Sequence, residues 1–267
     1  MIKQLKDMTW QEAKKAFKNT KLGIIPTGSI EQHGPHLPLG TDFVIADYIA
    51  KEVSGKVEAI VTPTIPIGFA AYHQDFEGTL SIPTEILASY YQSVADSLIL
   101  YGITHILFIN GHGGNGTALT AVCQNLRDKG VTAAFIEWWK ITCEMKTEWK
   151  PVGHGDISET SIMLAMPGNN VDLQKAALRP NKPPTDKIHI IDLTSLKFGP
   201  GVVNTYLRSG DLSDTGDLLE CSDSSNTDFP KSPADATAEN GQELLKAVVD
   251  YIVEFIDEFK KIHFDPV

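Results

Sequence analysis

The chain has 267 residues, 42% of them apolar, which is enough to bury at least one substantial hydrophobic core. Its formal net charge is −11 and it contains no block rich in Lys or Arg, so we expect neither nucleic acid nor an anionic membrane surface as a partner. No apolar run approaches the ~20 residues needed to span a bilayer, and the first residues lack the apolar core of a signal peptide. Three cysteines without a CxxC pair indicate a reducing compartment. Together these features predict a cytoplasmic protein.

Strands and helices are predicted to alternate along the first half of the chain. Short apolar runs predict buried strands at 22–25, 57–61, 103–109 and 131–136. Helical spacing of apolar residues predicts helices at 8–19, 42–53, 83–101 and from 116 to about 129. This order indicates an α/β fold with a mostly parallel central sheet that helices cover on both faces. In such folds, ligands bind at the C-terminal ends of the strands.

The second half of the chain is less regular. A short apolar helix is predicted at 162–166 and a long amphipathic helix at 234–261. Residues 167–233 are rich in Pro, Gly, Asp, Asn and Ser, a composition that is typical of loops. Because the amphipathic helix follows this segment, we interpret 167–233 as a loop-rich insertion within a single domain that spans 1–267.

The loop after the first predicted strand carries two carboxylates and two imidazoles in a short, proline-rich sequence. These side chains offer the oxygen and nitrogen donors that bind divalent metal ions, and they are Glu31, His33, His36 and Asp42. The alternative is an ordinary connection between a strand and a helix. In that case Thr41 caps the helix and Asp42 lies favourably in its first turn.

Two further loops carry candidate functional side chains. His112 lies in the glycine-rich turn Asn110–Asn115, directly after the third predicted strand. The turn has neither the lysine of a P-loop nor the spacing of a dinucleotide fingerprint, so metal binding is favoured over a phosphate cradle. His154 and Glu159 follow later in the chain, where the alternatives are a surface histidine and a carboxylate favoured by the helix dipole.

The three loops together offer five metal ligands, which are Glu31, His33, Asp42, His112 and Glu159. Such a set suits two divalent ions that share one carboxylate, and Zn, Mn and Fe all accept mixed histidine and carboxylate ligands. A water molecule activated by the ions would be the nucleophile. His154 would then move a proton between the nucleophile and the leaving group, because the pKa of a histidine lies near neutrality.

Four stretches of the sequence resemble the motifs of one enzyme family. They are 28–42, Asn110–Asn115, 154–161 and 235–241, and they are similar to the signature motifs of the creatininase (creatinine amidohydrolase) family. The resemblance extends over nearly the whole chain. It implies a three-layer α/β/α fold, a site for two divalent metal ions, a homohexamer, and hydrolysis of C–N bonds in small cyclic or formyl amides.

The resemblance also implies a role for individual residues. It places Glu31, Asp42 and His112 on one metal ion. It places His33 on the other ion, with Asp42 as the bridge between the two. His154 matches the family's catalytic histidine.

One position departs from the creatininases, which carry a metal-binding glutamate two residues after the motif histidine. This chain has Gly114 there, which argues against creatinine as the substrate. Glu159 matches a family glutamate, and we take it as a catalytic candidate that also completes the ligands of the second ion. Trp139 and Trp149 lie near positions that hold substrate-packing tryptophans in creatininase, and the alternative is that they are core or interface residues.

We therefore predict a metal-dependent amidohydrolase that acts on a small neutral substrate and assembles as a homo-oligomer. The motif loops contain no Lys or Arg, which disfavours a phosphorylated substrate, although Arg179 or Arg208 could reach the site from the insertion. The alternatives within the family are opening of a keto-inositol ring, deformylation of a nucleotide precursor, and trimming of a peptide. A non-catalytic binding protein is a further alternative, which the presence of all five ligands and His154 disfavours.

Overall fold

A four-stranded parallel sheet forms the centre of the computed structural model. Its strands are β1 (Leu22–Thr27), β2 (Ile60–Val61), β3 (His105–Asn110) and β4 (Thr132–Glu137), in the order β2-β1-β3-β4. β1 and β3 pair in register along their whole length, so their C-terminal ends lie side by side. This is also the point where the strand order changes direction, which is where open α/β sheets bind ligands. The structure describes residues 4–146, 149, 153–168, 170–177, 179, 181–182, 185–218 and 232–266.

Helices cover both faces of this sheet. Those of the described residues are α1 (Trp10–Asn19), α2 (Thr41–Ser54), α3 (Thr84–Leu100), α4 (Gly116–Asp128), α5 (Trp138–Met145), α6 (Ile157–Ala165), α7 (Ser209–Leu212) and α8 (Ala238–Phe259). Because side chains alternate along a strand, Ile24 and Leu107 pack with α2, α6 and α8, whereas Ile25 and Phe108 pack with α3 and α4. The predicted three-layer α/β/α fold is confirmed. None of the described helices is long and apolar enough to cross a membrane.

The helix that follows the first loop begins differently from the alternative considered above. Gly40 occupies the N-cap position of α2, and Thr41 is the first helical residue. The Thr41 hydroxyl donates to the Pro38 carbonyl (2.7 Å) and does not cap the helix. The cap role for Thr41 is therefore wrong, while Asp42 lies in the first turn as expected.

The segment 167–233, predicted to be rich in loops, also contains a small antiparallel sheet. Its strands are β5 (Ile188–Asp192), β6 (Ser195–Phe198) and β7 (Gly201–Asn204), in the order β5-β6-β7. Leu193, Leu212 and Leu218 form a small apolar cluster of their own within this segment. Residues 219–231 of this segment lie outside the described residues.

Candidate metal centre

The loops that follow β1 and β3 are bound to each other at the C-terminal edge of the sheet. The Gly111 amide donates to the Thr27 carbonyl (2.8 Å), and the Asn115 side chain donates to the Gly28 carbonyl (3.1 Å). These bonds bring the predicted ligands of the first loop beside His112.

One compact group consists of Glu31, Asp42 and His112. His112 Nδ1 lies 3.1 Å from Glu31 Oε2 and 3.1 Å from Asp42 Oδ2. The other ring nitrogen, Nε2, donates to the Phe69 carbonyl (2.7 Å). Because the Phe69 carbonyl takes the hydrogen of the neutral ring, Nδ1 is the atom available to a metal ion.

A second group surrounds His33. Its Nδ1 donates to the Glu31 carbonyl (3.1 Å), while its Nε2 lies 2.9 Å from Asp42 Oδ1 and 3.8 Å from Glu159 Oε1. Asp42 thus directs Oδ1 at His33 and Oδ2 at His112. A carboxylate that bridges two ions requires this arrangement.

Three carboxylate oxygens of the centre are buried without a hydrogen bond. The side chains of Glu31 and Asp42 are almost fully buried. Among the described residues, no group forms a hydrogen bond of acceptable geometry with Glu31 Oε1, Glu31 Oε2 or Asp42 Oδ2. Burying unpaired carboxylate oxygens is costly, and a bound cation offsets that cost. The residues of the centre therefore fit divalent metal ions.

The carboxylates change the proton affinity of the neighbouring rings. Burial lowers the pKa of His33, but the Asp42 and Glu159 carboxylates outweigh burial and raise that pKa to about 10. Burial also lowers the pKa of His112, but the Glu31 and Asp42 carboxylates outweigh burial and raise that pKa well above its ordinary value. Burial raises the pKa of Asp42, but the charge of His33 outweighs it and lowers that pKa. In the protein without metal ions, protons on both rings neutralise the carboxylates.

Glu159 reaches the centre from the first turn of α6. Asp156 caps this helix by accepting hydrogen bonds from the amides of Ser158 and Glu159 (both 2.9 Å). The Gly155 amide donates to Glu159 Oε2 (2.8 Å), which leaves Oε1 facing His33. Burial raises the pKa of the Glu159 carboxyl well above its ordinary value, so a neighbouring cation is needed to keep it ionised.

Gly114 has no space for the side chain that creatininases carry at this position. A Cβ atom here would lie 2.0 Å from the Phe69 carbonyl oxygen and 2.5 Å from His112 Nε2. A side chain would therefore break the hydrogen bond that orients His112. The carboxylate beside His33 comes from another element instead, because Glu159 Oε1 lies 3.8 Å from His33 Nε2.

His154 lies beside the same carboxylates. Its backbone pairs with Leu218, and its Nε2 donates to the Gln32 carbonyl. The unprotonated Nδ1 lies 3.7 Å from Glu31 Oε1. Burial and the charge of His33 hold the pKa of His154 well below its ordinary value. The ring is thus neutral and directs an acceptor nitrogen at the site, as proton transfer requires.

His73 is a buried residue of the centre that was not assigned from the sequence. It ends a 3-10 turn, Ala71–His73, which lies in the long stretch between the predicted strand at 57–61 and the predicted helix at 83–101. Its Nε2 lies 3.4 Å from Glu31 Oε1, and its ring stacks on His154 with 4.2 Å between centroids. Burial, with the charges of His154 and His112, holds the pKa of His73 well below its ordinary value. The length of this stretch, in which the sequence predicts no helix or strand, was a signal that could have pointed to it.

His36, the second imidazole of the first loop, is directed at α6 and not at the carboxylates. Its Nε2 donates to Thr160 Oγ1 (2.9 Å), because the Thr160 hydroxyl hydrogen is already used on the Asp156 carbonyl (2.6 Å). His36 therefore ties the first loop to α6.

A cavity of about 400 Å³ opens over the metal centre. Beyond the centre, its lining includes Tyr72, Trp139 and the β5–β6 turn at Asp192–Thr194. The 167–233 segment therefore contributes part of the cavity wall. Trp149 is buried and lines a different cavity, so Trp139 is the tryptophan placed to contact a bound molecule.

Basic side chains are scarce around this cavity. In its described lining, Lys140 is the single Lys or Arg, and it pairs with a neighbouring carboxylate. Arg179 pairs with Asp217 (2.6 Å) and Arg208 pairs with Asp75 (2.9 Å), away from the lining. A phosphate group in the cavity would find no unpaired guanidinium among the described residues.

A buried cluster of carboxylates and histidines, at the C-terminal edge of a parallel sheet and beneath an open cavity, is typical of a metal-dependent hydrolase. A family model for creatininase, described as creatinine amidohydrolase, matches residues 6–256. The chain belongs to the creatininase family. The family and the hydrolase class predicted from the motifs are confirmed.

Relatives within this family carry different names. The mycofactocin precursor peptide peptidase of Mycobacterium tuberculosis (strain ATCC 25618 / H37Rv) is 33% identical over 239 residues, which cover 85% of this chain and 81% of that protein. The creatinine amidohydrolase of Pseudomonas putida is 26% identical over 197 residues, 65% of this chain and 75% of that protein. A solved mutant creatininase of Zn-Zn type has a TM-score of 0.72 at 22% identity, covering 96% of this chain and 98% of that one. The structural likeness confirms the predicted fold.

Proposed function

We propose that the chain uses two divalent metal ions to hydrolyse a C–N amide bond in a small, uncharged cyclic or formyl amide. The observation that carries this proposal is the position of Asp42, which directs one carboxylate oxygen at His33 and the other at His112. A site for one ion does not need a carboxylate shared in this way.

The ligands divide into two sets that share Asp42. One ion would be held by Glu31, Asp42 and His112. The other would be held by His33, Asp42 and Glu159. Zn, Mn and Fe accept such mixed ligands. When bound, the two ions would polarise a substrate carbonyl and lower the pKa of a water molecule towards about 7.

The side chains around the ions would transfer the protons and hold the substrate. His154 Nδ1 can accept a proton from the attacking water and pass it to the leaving nitrogen. Its Nε2–H bond to the Gln32 carbonyl stabilises the ring while it carries positive charge. Trp139 and Tyr72 offer aromatic surfaces in the cavity against which a small planar amide can pack.

The cavity favours a neutral substrate over an anionic one. Its described lining contains several carboxylates but only one Lys, which is already paired. Recognition of a phosphate ordinarily uses an unpaired Arg or Lys. The cavity volume of about 400 Å³ suits a small molecule.

Trimming of a short peptide is the second candidate function. The 33% identity to a protein named as a peptide peptidase, over most of both chains, favours it. A peptide bond is also a C–N amide bond, so the same ions and the same proton acceptor would serve. The substrate, and not the metal chemistry, separates the two candidates.

Metal analysis tests the proposed centre. The purified chain is stripped with a chelator, reloaded with Zn, Mn or Fe, and analysed for bound ions. We expect about two ions per chain, and fewer than about one would contradict the two-ion site. Glu31→Ala should lose metal and activity together. His189→Ala, at an exposed position of β5, is the control and should lose neither.

A substrate panel then separates the candidate reactions. Lactams, formamides, creatinine, keto-inositols and short peptides are assayed with each metal. Turnover of a lactam or formamide supports the leading proposal, and turnover of peptides alone supports the second. A chain that binds two ions but hydrolyses nothing in the panel would support a non-catalytic binding protein instead.

A further inference from the structure

The side chain of Gln32 has a fixed orientation beside the metal centre. The Gly34 amide donates to Gln32 Oε1 (3.0 Å), and Gln32 Nε2 donates to the Gly216 carbonyl (2.9 Å). The amide nitrogen consequently faces His73 Nδ1 at 3.1 Å. Because an amide nitrogen only donates, His73 Nδ1 has to be the acceptor.

A competing acceptor for the same hydrogen is excluded by the geometry of His154. His154 Nε2 lies 2.9 Å from Gln32 Nε2, but it also lies against the Gln32 carbonyl oxygen. Since a carbonyl oxygen only accepts, His154 Nε2 carries a hydrogen and cannot accept a second one. The Ser209 hydroxyl provides another donor within hydrogen-bond distance of His73 Nδ1.

With Nδ1 as the acceptor, the hydrogen of neutral His73 is on Nε2. This atom lies 3.4 Å from Glu31 Oε1, slightly beyond the usual N–H···O distance of about 2.9 Å. His154 Nδ1, 3.7 Å from the same oxygen, has no hydrogen to donate. The contact of His73 Nε2 with Oε1 falls short of hydrogen-bond geometry, and Oε1 has no hydrogen-bond partner among the described residues. His73 Nε2–H is therefore a donor that lies beside an unpartnered Oε1, while Oε2 faces His112.

We propose that His73 is a positioning residue: when Glu31 Oε2 binds a metal ion, His73 Nε2–H closes to a hydrogen bond with Oε1 and thereby fixes Oε2 as the metal-binding oxygen. This role rests on the two-ion centre proposed above. A ring whose Nε2 carries hydrogen cannot ligate a metal ion through that atom. The group of Glu31, His73 and His154 is thus a support for the centre and not a third ion site, although its ligand atoms lie close together.

The same ring connects the metal centre to the 167–233 segment. Ser209, whose hydroxyl contacts His73 Nδ1, is the first residue of α7 and is fully buried. His73 also stacks on His154, with 12° between the ring planes. Displacing His73 would therefore disturb both the Glu31 carboxylate and the ring proposed to transfer protons.

The tautomer of His73 is the direct test. Long-range 15N–1H NMR of the histidine-labelled, ion-free protein shows which ring nitrogen carries hydrogen, and the His73 signal is the one that His73→Gln removes. We expect a protonated Nε2 and an acceptor Nδ1. A hydrogen on Nδ1 would overturn the proposal, whether or not the protein binds ions.

Metal affinity, measured by competition with a chromophoric chelator, tests the consequence. His73→Phe keeps an aromatic ring but removes both nitrogens, and we expect it to weaken metal binding about 10–100-fold. His73→Gln keeps a donor near the position of Nε2, and it should retain most of the wild-type affinity. His189→Phe is the same substitution at an exposed position and should bind as the wild type does.

Two affinity results would contradict the positioning role. One is wild-type affinity in His73→Phe. The other is a His73→Gln protein that holds one ion fewer at saturating metal, because His73 would then be a ligand. A wild-type chain that binds no ions would instead refute the proposed function, while the NMR measurement would still show whether His73 Nε2 carries the hydrogen that the proposed bond to Glu31 needs.

Discussion

Three buried histidines and the partly buried His154 direct one ring nitrogen each into the candidate metal centre, because hydrogen bonds to the surrounding loops hold the other nitrogen. Backbone carbonyls take a ring hydrogen from His33, His112 and His154, whereas His73 accepts from the Gln32 amide. Fixing one nitrogen selects the tautomer and orients the ring. The loops therefore determine, residue by residue, which rings can ligate, which can accept a proton, and which can donate a hydrogen bond.

Replacing His154 should separate metal binding from turnover. We expect His154→Ala to retain about two ions per chain while kcat falls about 10²–10⁴-fold, because the proton acceptor is lost and the ligands remain. Metal analysis and steady-state kinetics on the same preparation measure both quantities.

The control for this variant is His189→Ala, which removes an exposed imidazole from β5. Wild-type turnover by His154→Ala would exclude the proton-transfer role. His154 also lies within reach of His33 and Glu159 as a candidate ligand. A His154→Ala protein with one ion fewer would assign it to the second ion.

Metal binding should release protons from the two histidines that we propose as ligands. In the ion-free protein, Asp42 and Glu159 raise the pKa of His33 to about 10, and carboxylates raise that of His112 as well. Both rings are therefore protonated at neutral pH and have to lose a proton to ligate. Affinity should rise with pH by about tenfold per unit for each proton released, up to the pKa of each ring.

Calorimetry in buffers of different ionisation enthalpy counts these protons. We expect about two per chain near pH 7, and His189→Ala should leave the number unchanged. Metal uptake without proton release would mean that the rings are neutral before binding.

At the scale of elements, the close packing of α6 against α8 sets the position of Glu159. Gly241 lies at this contact, where a Cβ atom would be 1.9 Å from the Ser161 carbonyl oxygen and 2.9 Å from the Ala165 side chain. The 235–241 stretch was predicted only by resemblance to a family motif. Gly241 lets α8 approach the helix that carries Glu159, a proposed metal ligand.

Gly241→Ala should push these helices apart. A Gly→Ala change stabilises a helix by about 1 kcal/mol through helix propensity, whereas overpacking destabilises a protein by about 1–3 kcal/mol. Because the added Cβ would meet backbone atoms, which cannot move aside as a side chain can, we expect an overpacking cost near the upper end of that range. We expect a net loss of unfolding free energy in urea and weaker binding of the second ion. Gly116→Ala in α4, where a Cβ meets only the Glu137 side chain at 3.8 Å, is the matched control. Equal stability of the two variants would refute this account.

The parts of the molecule with a local signal were predictable from the sequence. β1 and β3 are apolar runs with every residue buried, and the loops after them carry adjacent donors and glycines. The β5–β7 sheet was missed because its strands are short and exposed, as at Val202, which is 62% exposed. His73 was missed because its role depends on Gln32, 41 residues away in the chain. Such a contact has no local pattern.

At the scale of the whole molecule, the 167–233 segment is bound to the metal centre at several points. Gly216 accepts a hydrogen bond from Gln32, Leu218 pairs with His154, and Ser209 contacts His73. A separate domain would not share its hydrogen bonds with the ligand loops in this way. We therefore propose that the segment is an insertion in a single domain spanning 1–267.

The proposed homo-oligomer, a hexamer by family resemblance, is a prediction at the same scale. Trp10 on α1 and Tyr101 after α3 are 70% and 58% exposed, and both line an apolar surface groove of about 540 Å³. Exposed aromatic side chains in one patch are common at subunit contacts.

We expect light scattering to give a mass near six times 29.2 kDa. Trp10→Glu should lower this mass, because the new charge would be buried at the subunit contact. Lys15→Glu, which changes charge on α1 outside the groove, should leave the mass unchanged. A 29.2 kDa monomer for the wild type would contradict the oligomer, and an unchanged mass in Trp10→Glu would place the contact on another surface.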